Sequence, residues 1–167
     1  MLEALAYKRG FEPDEEEGDF AAARAWPRVL DLFAGSGGLG IEALSRGAQS
    51  ADFVEQDRDA ARSIESNLRA TGLADRAHVH HSPVLLALPR VRGPVDLVFA
   101  DPPYADTSVL DATVSALERP GLLSPTSAVV IEQPWSSEPP SRVGALPVSS
   151  TRRHGRTRIT LYTGNPR

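Results

Sequence analysis

Short, almost unbroken apolar runs recur along this chain, with helix-patterned segments between them. The runs are Val29-Leu30-Asp31-Leu32-Phe33, Asp52-Phe53-Val54-Glu55, Val95-Asp96-Leu97-Val98-Phe99-Ala100 and Ala128-Val129-Val130-Ile131-Glu132. A strand with one wet face alternates apolar and polar residues. Strands that are apolar on both sides must be covered on both, which is the α/β arrangement around a mainly parallel sheet. The intervening segments fit the covering role. Ile41 to Arg46 reads as a helix closed by Gly47, and Asp57 caps a second in which Ala60, Ile64 and Leu68 recur until Gly72 stops it. His78 to His81 is a weaker third strand, and Val84 to Leu88 supplies a turn or two of helix. A further helix carries Leu110, Val114 and Leu117, capped by Asp106 or Thr107 and ended by Pro120-Gly121. After a proline-rich stretch (Pro134, Pro139, Pro140, Pro147), Arg158-Ile159-Thr160-Leu161-Tyr162 alternates and reads as a final antiparallel strand. Upstream, Leu2 to Lys8 can form a short helix, followed by a loop over residues 10–27.

Composition narrows the class. The chain has 167 residues, enough for one domain with a real core, and no cysteine, which removes disulfides and thiolate chemistry. Its apolar runs are too short to span a bilayer, and Met1-Leu2-Glu3 does not open a secretory signal, so the expectation is a cytoplasmic protein with no membrane partner. The net charge of −4 hides an asymmetry. Residues 139–167 hold six arginines and no acid, leaving −10 on the rest, much of it in Asp14, Glu15, Glu16, Glu17 and Asp19. A basic end on an acidic body suggests a local contact with an anion.

Two constellations carry chemistry. In the first, the strand ending at Phe33 runs into Ala34-Gly35-Ser36-Gly37-Gly38-Leu39-Gly40 and then a helix. Gly35, Gly37 and Gly40 satisfy G-x-G-x-x-G, and Glu55 lies twenty residues after Gly35, where a ribose-binding carboxylate belongs. The pattern suits a nicotinamide enzyme as well as a methyltransferase. Asp31 favours the latter, because a carboxylate there would repel a pyrophosphate yet suit an ammonium and a sulfonium.

The second is Asp101-Pro102-Pro103-Tyr104, directly after the fourth strand. Paired prolines fix φ and remove N–H donors, leaving a rigid turn with outward carbonyls. Asp101 and the Pro102 carbonyl are then placed to accept hydrogen bonds from one exocyclic amino group, while Tyr104 offers a ring on which a base can stack. Such a turn at the carboxyl end of a parallel strand is a binding position.

These residues, with the longer strings VLDLFAGSGGLGIEALSRGA, FVEQD and DLVFADPPY, resemble the class I S-adenosylmethionine methyltransferases. More narrowly, they resemble the bacterial 16S rRNA guanine-N2 family, ribosomal small subunit methyltransferase D. The resemblance covers residues 28–133 well, with an echo near Gly155 to Tyr162. It implies a doubly wound, Rossmann-like sheet of seven strands in the order 3-2-1-4-5-7-6, the last strand antiparallel. Residues 28–167 would form the methyltransferase domain, preceded by a short helix and acidic loop over 1–27. It implies S-adenosyl-L-methionine as cofactor, no metal, and 16S rRNA or the small ribosomal subunit as partner of a monomer. Phe33, Ala34, Gly35, Ser36 and Gly37 would floor the cofactor site. Asp31 would favour the methionyl ammonium and Glu55 the ribose hydroxyls, with Gln56 and Ser82 bordering the adenine. Asp101, Pro102, Pro103 and Tyr104 would do the chemistry. Three departures stand out. Family members usually open with a glycine- and arginine-rich hairpin, whereas Met1 begins near the end of the helix that follows it; the long acidic loop stands in its place before the first strand; and many members have an Asp where Ser82 stands.

Arg152, Arg153 and Arg156 are candidate phosphate contacts, against a solvated loop. His78, His80 and His81 read as surface histidines rather than metal ligands, and Trp26 and Trp135 as packing or rim residues. Three other readings stay open: a DNA adenine-N6 methyltransferase, an NAD-dependent dehydrogenase, and a cofactor- or RNA-binding scaffold without activity.

Overall fold

The structure is a computed structural model that describes residues 26–103 and 107–164. The expected N-terminal helix, the acidic run, Tyr104 and Asp106 lie outside the described residues. Strands and helices alternate as β1 (Arg28–Leu32), α1 (Gly38–Ser45), β2 (Ser50–Glu55), α2 (Arg58–Ala70), β3 (Ala77–His81), α3 (Val84–Ala87), β4 (Val95–Ala100) and α4 (Thr107–Leu117). Then come β5 (Leu123–Pro134), β6 (Arg142–Val143), β7 (Leu146–His154) and β8 (Thr157–Thr163). The sheet order is β3-β2-β1-β4-β5-β8-β7-β6, with β3 through β5 parallel and β8 antiparallel to β5.

The sheet therefore has eight strands where seven were expected. The extra one is the two-residue β6, paired only with the start of β7. Without it the order is the expected one. β7 occupies a stretch that reads as proline-rich loop because it shows no apolar alternation. Beyond Leu146 it has no buried residue, and it lies near the sheet edge, where Pro147 is tolerated.

Both faces of the sheet are covered, as unbroken apolar strands demand. On one face Phe53, Phe99, Val130 and Leu161 pack with Leu44 of α1 and with Ile64 and Leu68 of α2. On the other, Leu30, Leu32, Val98, Ile131 and Tyr162 pack with Ala87 of α3 and with Leu110 and Leu117 of α4. Trp26 is buried in the first cluster, so its role is packing. Residues adjacent across paired strands share a face. Asp31, Phe53, Phe99 and Val130 are one such row, and two places on along their strands stand Glu55 at the end of β2, Asp101 just after β4 and Glu132 within β5, while Phe33 turns away to pack on the opposite face.

Candidate active site

The glycine turn is tighter than the sequence suggests. Phe33 leaves β1 with φ 57°, a left-handed conformation that costs a non-glycine residue about 1 kcal/mol or more. Gly35 (φ 55°) and Gly37 (φ 84°) follow in the same region, and α1 starts directly at Gly38 rather than at Ile41. Asp31 helps the glycines join that helix. Its Oδ2 accepts the Gly40 N–H at 2.8 Å, satisfying a first-turn amide that has no partner inside the helix. Gly40 in turn has no room for a side chain, since a Cβ there would lie 2.3 Å from Phe53 Cε1. Asn67 of α2 donates from Nδ2 to the Ser36 carbonyl at 3.0 Å and ties the outer limb of the turn to its neighbour.

Glu55 closes the turn from the β2 side. Its Oε2 accepts the Gly35 N–H at 2.8 Å and its Oε1 the Asp57 N–H at 2.7 Å, while Asp57 caps α2 through the amides of Asp59 and Ala60. The Glu55 carbonyl accepts the Ser82 N–H at 3.0 Å, and His81 Nε2 bonds the Gln56 carbonyl at 3.2 Å. Gln56 and Ser82 thus stand together beside the end of β2. Between the ends of β1, β2 and β4 opens a cleft of about 220 Å³, lined by Phe33, Val54, Glu55, Gln56, Val84, Asp101 and Pro103. The two constellations face each other across it. Pro102 is buried, while Asp101 and Pro103 reach solvent.

Electrostatics in the cleft run one way. Burial pushes the Asp31 carboxyl up to about 7, the Gly40 hydrogen bond opposes it, and the charges of Asp101 and Glu55 add to it. Desolvation also raises Asp101. Asp31 is 2% exposed, so it sits beneath the floor of the cleft rather than on it. A region of carboxylates partly stripped of water favours ligands that are cationic or rich in N–H and O–H donors. S-adenosyl-L-methionine fits this donor set, since it has a ribose diol, an ammonium and a sulfonium.

The sequence profile of the family described as Conserved hypothetical protein 95 matches residues 20–163. The chain belongs to this family. Over 142 residues it is 36% identical to a Bacillus subtilis protein named "Putative rRNA methyltransferase YlbH", a match covering 81% of this chain and 74% of that one. It is 40% identical over 105 residues to ribosomal RNA small subunit methyltransferase D of Escherichia coli, covering 63% of this chain and 52% of its relative. It therefore spans about half the length of the latter enzyme. The solved structure of a conserved hypothetical protein from Streptococcus pyogenes superimposes with a TM-score of 0.72 at 36% identity, covering 83% of this chain and 86% of that one. The resemblance to ribosomal small subunit methyltransferase D read from the motifs is borne out by these relatives.

The three candidate arginines lie on the β7–β8 hairpin, which turns at Gly155 (φ 59°) and Arg156. They do not form one face. Arg153 lies over the Trp135 ring at 5.0 Å, with Arg158 at 4.4 Å from the same ring, whereas Arg152, next along the strand, projects from the opposite side of the sheet. Trp135 is thus a rim residue packed with guanidinium groups. His80 is bonded to Asp52 at 2.8 Å and His78 packs edge-on against it, and among the described residues no three metal-ligating side chains converge.

Sequence reasoning missed Asn67, Val84 and Glu132. Nothing in the sequence marks the first two. Glu132 carries a signal, because in the sequence it closes an apolar run as Glu55 does, although β5 continues to Pro134, and its carboxyl is raised by desolvation and by the Asp101 charge.

Proposed function

We propose that the chain transfers a methyl group from S-adenosyl-L-methionine to the exocyclic N2 of a guanine in 16S rRNA, with the small ribosomal subunit or its RNA as partner. The observation that carries this reading is the placement of Asp101 and Pro103 across one cleft from Glu55 and the Phe33 turn. A glycine turn alone would serve a dinucleotide, which has no use for a rigid acceptor turn facing it. The names carried by the relatives support an rRNA substrate.

S-adenosyl-L-methionine, when bound, supplies an electrophilic methyl carbon. The chain's own residues do the rest. Glu55, oriented by two backbone amides, accepts from ribose hydroxyls, and the backbone from Phe33 to Gly37 forms the floor. Asp31 biases that floor toward cations from below, and Gln56 and Ser82 border the adenine. A guanine amino nitrogen is a poor nucleophile because its lone pair is conjugated with the ring. Accepting its two N–H bonds at Asp101 and the Pro102 carbonyl draws it toward pyramidal geometry and stabilises the positive charge that develops on it. Desolvation makes Asp101 a better proton acceptor than an ordinary carboxylate, which suits it to take the proton the nitrogen must lose. Tyr104 stacks on the extruded base, and of the three hairpin arginines Arg152 and Arg156, whose side chains are exposed, meet phosphates, while Arg153 packs over Trp135.

The test is product analysis. Wild-type protein incubated with small subunits lacking the modification is expected to yield N2-methylguanosine in 16S rRNA. Asp101→Ala is expected to bind S-adenosylhomocysteine as before while turnover falls by about a thousandfold. Methylation of adenine, or an Asp101→Ala variant that works at the parental rate, would overturn the proposal.

A further inference from the structure

The acceptor row does not stop at Asp101. Ala100 pairs with Ile131 across β4 and β5, so Asp101 and Glu132 are the next partners in register. Their side chains stand on the face that carries Phe99 and Val130. Unlike Asp101, which lies beyond the end of β4, Glu132 is held inside β5 by its pairing with Ile159 of β8. Its carboxyl is half-buried and raised, first by desolvation and then by the Asp101 charge, with His154 opposing. Among the described residues none donates a hydrogen bond to either carboxylate.

Two like charges placed side by side and partly dehydrated are costly unless something donates to both. The nucleobase edges differ in what they offer. Adenine and cytosine place a ring-nitrogen acceptor beside the amino group. Guanine alone presents N1–H next to its amino group, an uninterrupted row of donors. With the two amino hydrogens engaged by Asp101 and Pro102, N1–H is the donor left for the neighbouring acceptor.

We infer that Glu132 is a specificity-determining residue that accepts the guanine N1–H while Asp101 and Pro102 hold the amino group. Its position in the sheet makes it a fixed reference beside the mobile base. An adenine in the same place would set its N1 lone pair against the Glu132 carboxylate. The inference rests on the guanine-N2 reading and names the chain's means of choosing guanine.

The test replaces the mapped target guanine by 2-aminopurine in small subunits reconstituted from ligated 16S rRNA. This base keeps the N2 amine but has a bare N1. Wild-type protein is expected to prefer guanine by a hundredfold or more in kcat/KM, since sites built around a substrate donor reject analogues lacking it. Glu132→Gln can donate to a bare N1. It is expected to bind S-adenosylhomocysteine normally, to lose activity on guanine, and to shrink the preference at least tenfold. A wild-type preference near one overturns the inference without any variant, as does a preference unchanged in Glu132→Gln. If the wild type forms no N2-methylguanosine at all, the functional reading itself fails. If it forms the product but the preference does not move, only the role of Glu132 fails.

Discussion

Glu55 Oε2 accepts the amide of Gly35 at 2.8 Å, so the carboxylate facing the cleft is also the clasp between β2 and the glycine turn. Its other oxygen holds the amide of Asp57, the residue that caps α2. A side chain fixed by two backbone donors loses little rotamer freedom when a diol binds, which is the structural basis of preorganisation.

Removing it should therefore damage binding twice over. Glu55→Ala is expected to weaken S-adenosylhomocysteine binding by roughly 10–100-fold, the worth of one or two charge-assisted hydrogen bonds, and also to lower the melting temperature. Calorimetry reads the first and a thermal melt the second. Unchanged affinity would mean that Glu55 is a clasp only.

The glycines of the turn are not equivalent. A Cβ on Gly40 would lie 2.3 Å from Phe53 Cε1 and 3.1 Å from Asp31 Oδ2, and Phe53 is fully buried and cannot swing away. Gly40→Ala is expected to cost about 1–3 kcal/mol through overpacking. Gly38 has nothing within 4 Å of its Cβ position, so Gly38→Ala should stay within about 1 kcal/mol of wild type. Urea unfolding of the two variants side by side checks the contrast, and equal losses would contradict the packing account.

The parallel core was legible because its strands are apolar on both faces and its helices carry apolar residues every three or four positions. Val95–Ala100 and Ile64 with Leu68 needed no tertiary context. β7 was not legible, since an exposed strand near the sheet edge is held by backbone pairing that leaves no periodic mark on its side chains. The left-handed Phe33 was equally hidden, because no side-chain property announces a positive φ outside glycine and asparagine. Of the residues lining the cleft, Glu55 is marked in the sequence by its spacing after Gly35 and Asp101 by the paired prolines that follow it. Glu132 has no motif around it and is marked only by closing the apolar run that begins at Ala128.

Asp31 should leave a signature in the pH dependence of stability. Its folded carboxyl titrates near 7 because it is buried, against an ordinary 3.8. Between those values the folded chain keeps a proton that the unfolded chain has released, so this group's contribution falls as pH rises through the interval. The span amounts to at most about 4 kcal/mol. Asp31→Asn keeps an oxygen for the Gly40 amide but does not titrate. The stability of wild type relative to Asp31→Asn should therefore decline from pH 4.5 to 8 in denaturant titrations without ligand. Parallel curves would show that Asp31 stays ionised throughout.

The arginines of the basic hairpin differ in whether their side chains take part in the architecture. Arg152 and Arg156 are exposed, and among the described residues their side chains make no hydrogen bond or ion pair. Arg153 donates from Nε to the Gly155 carbonyl at 3.0 Å and packs over Trp135, so its loss would also loosen the turn. Replacing Arg152 and Arg156 together by Gln should then weaken 16S rRNA binding and flatten its dependence on log salt by up to about one for each phosphate lost. Cofactor affinity and melting temperature should hold. Binding measured at several salt concentrations decides it. A parallel loss at every salt would place the hairpin's contribution in shape rather than charge, and no loss would leave these arginines as solvated surface.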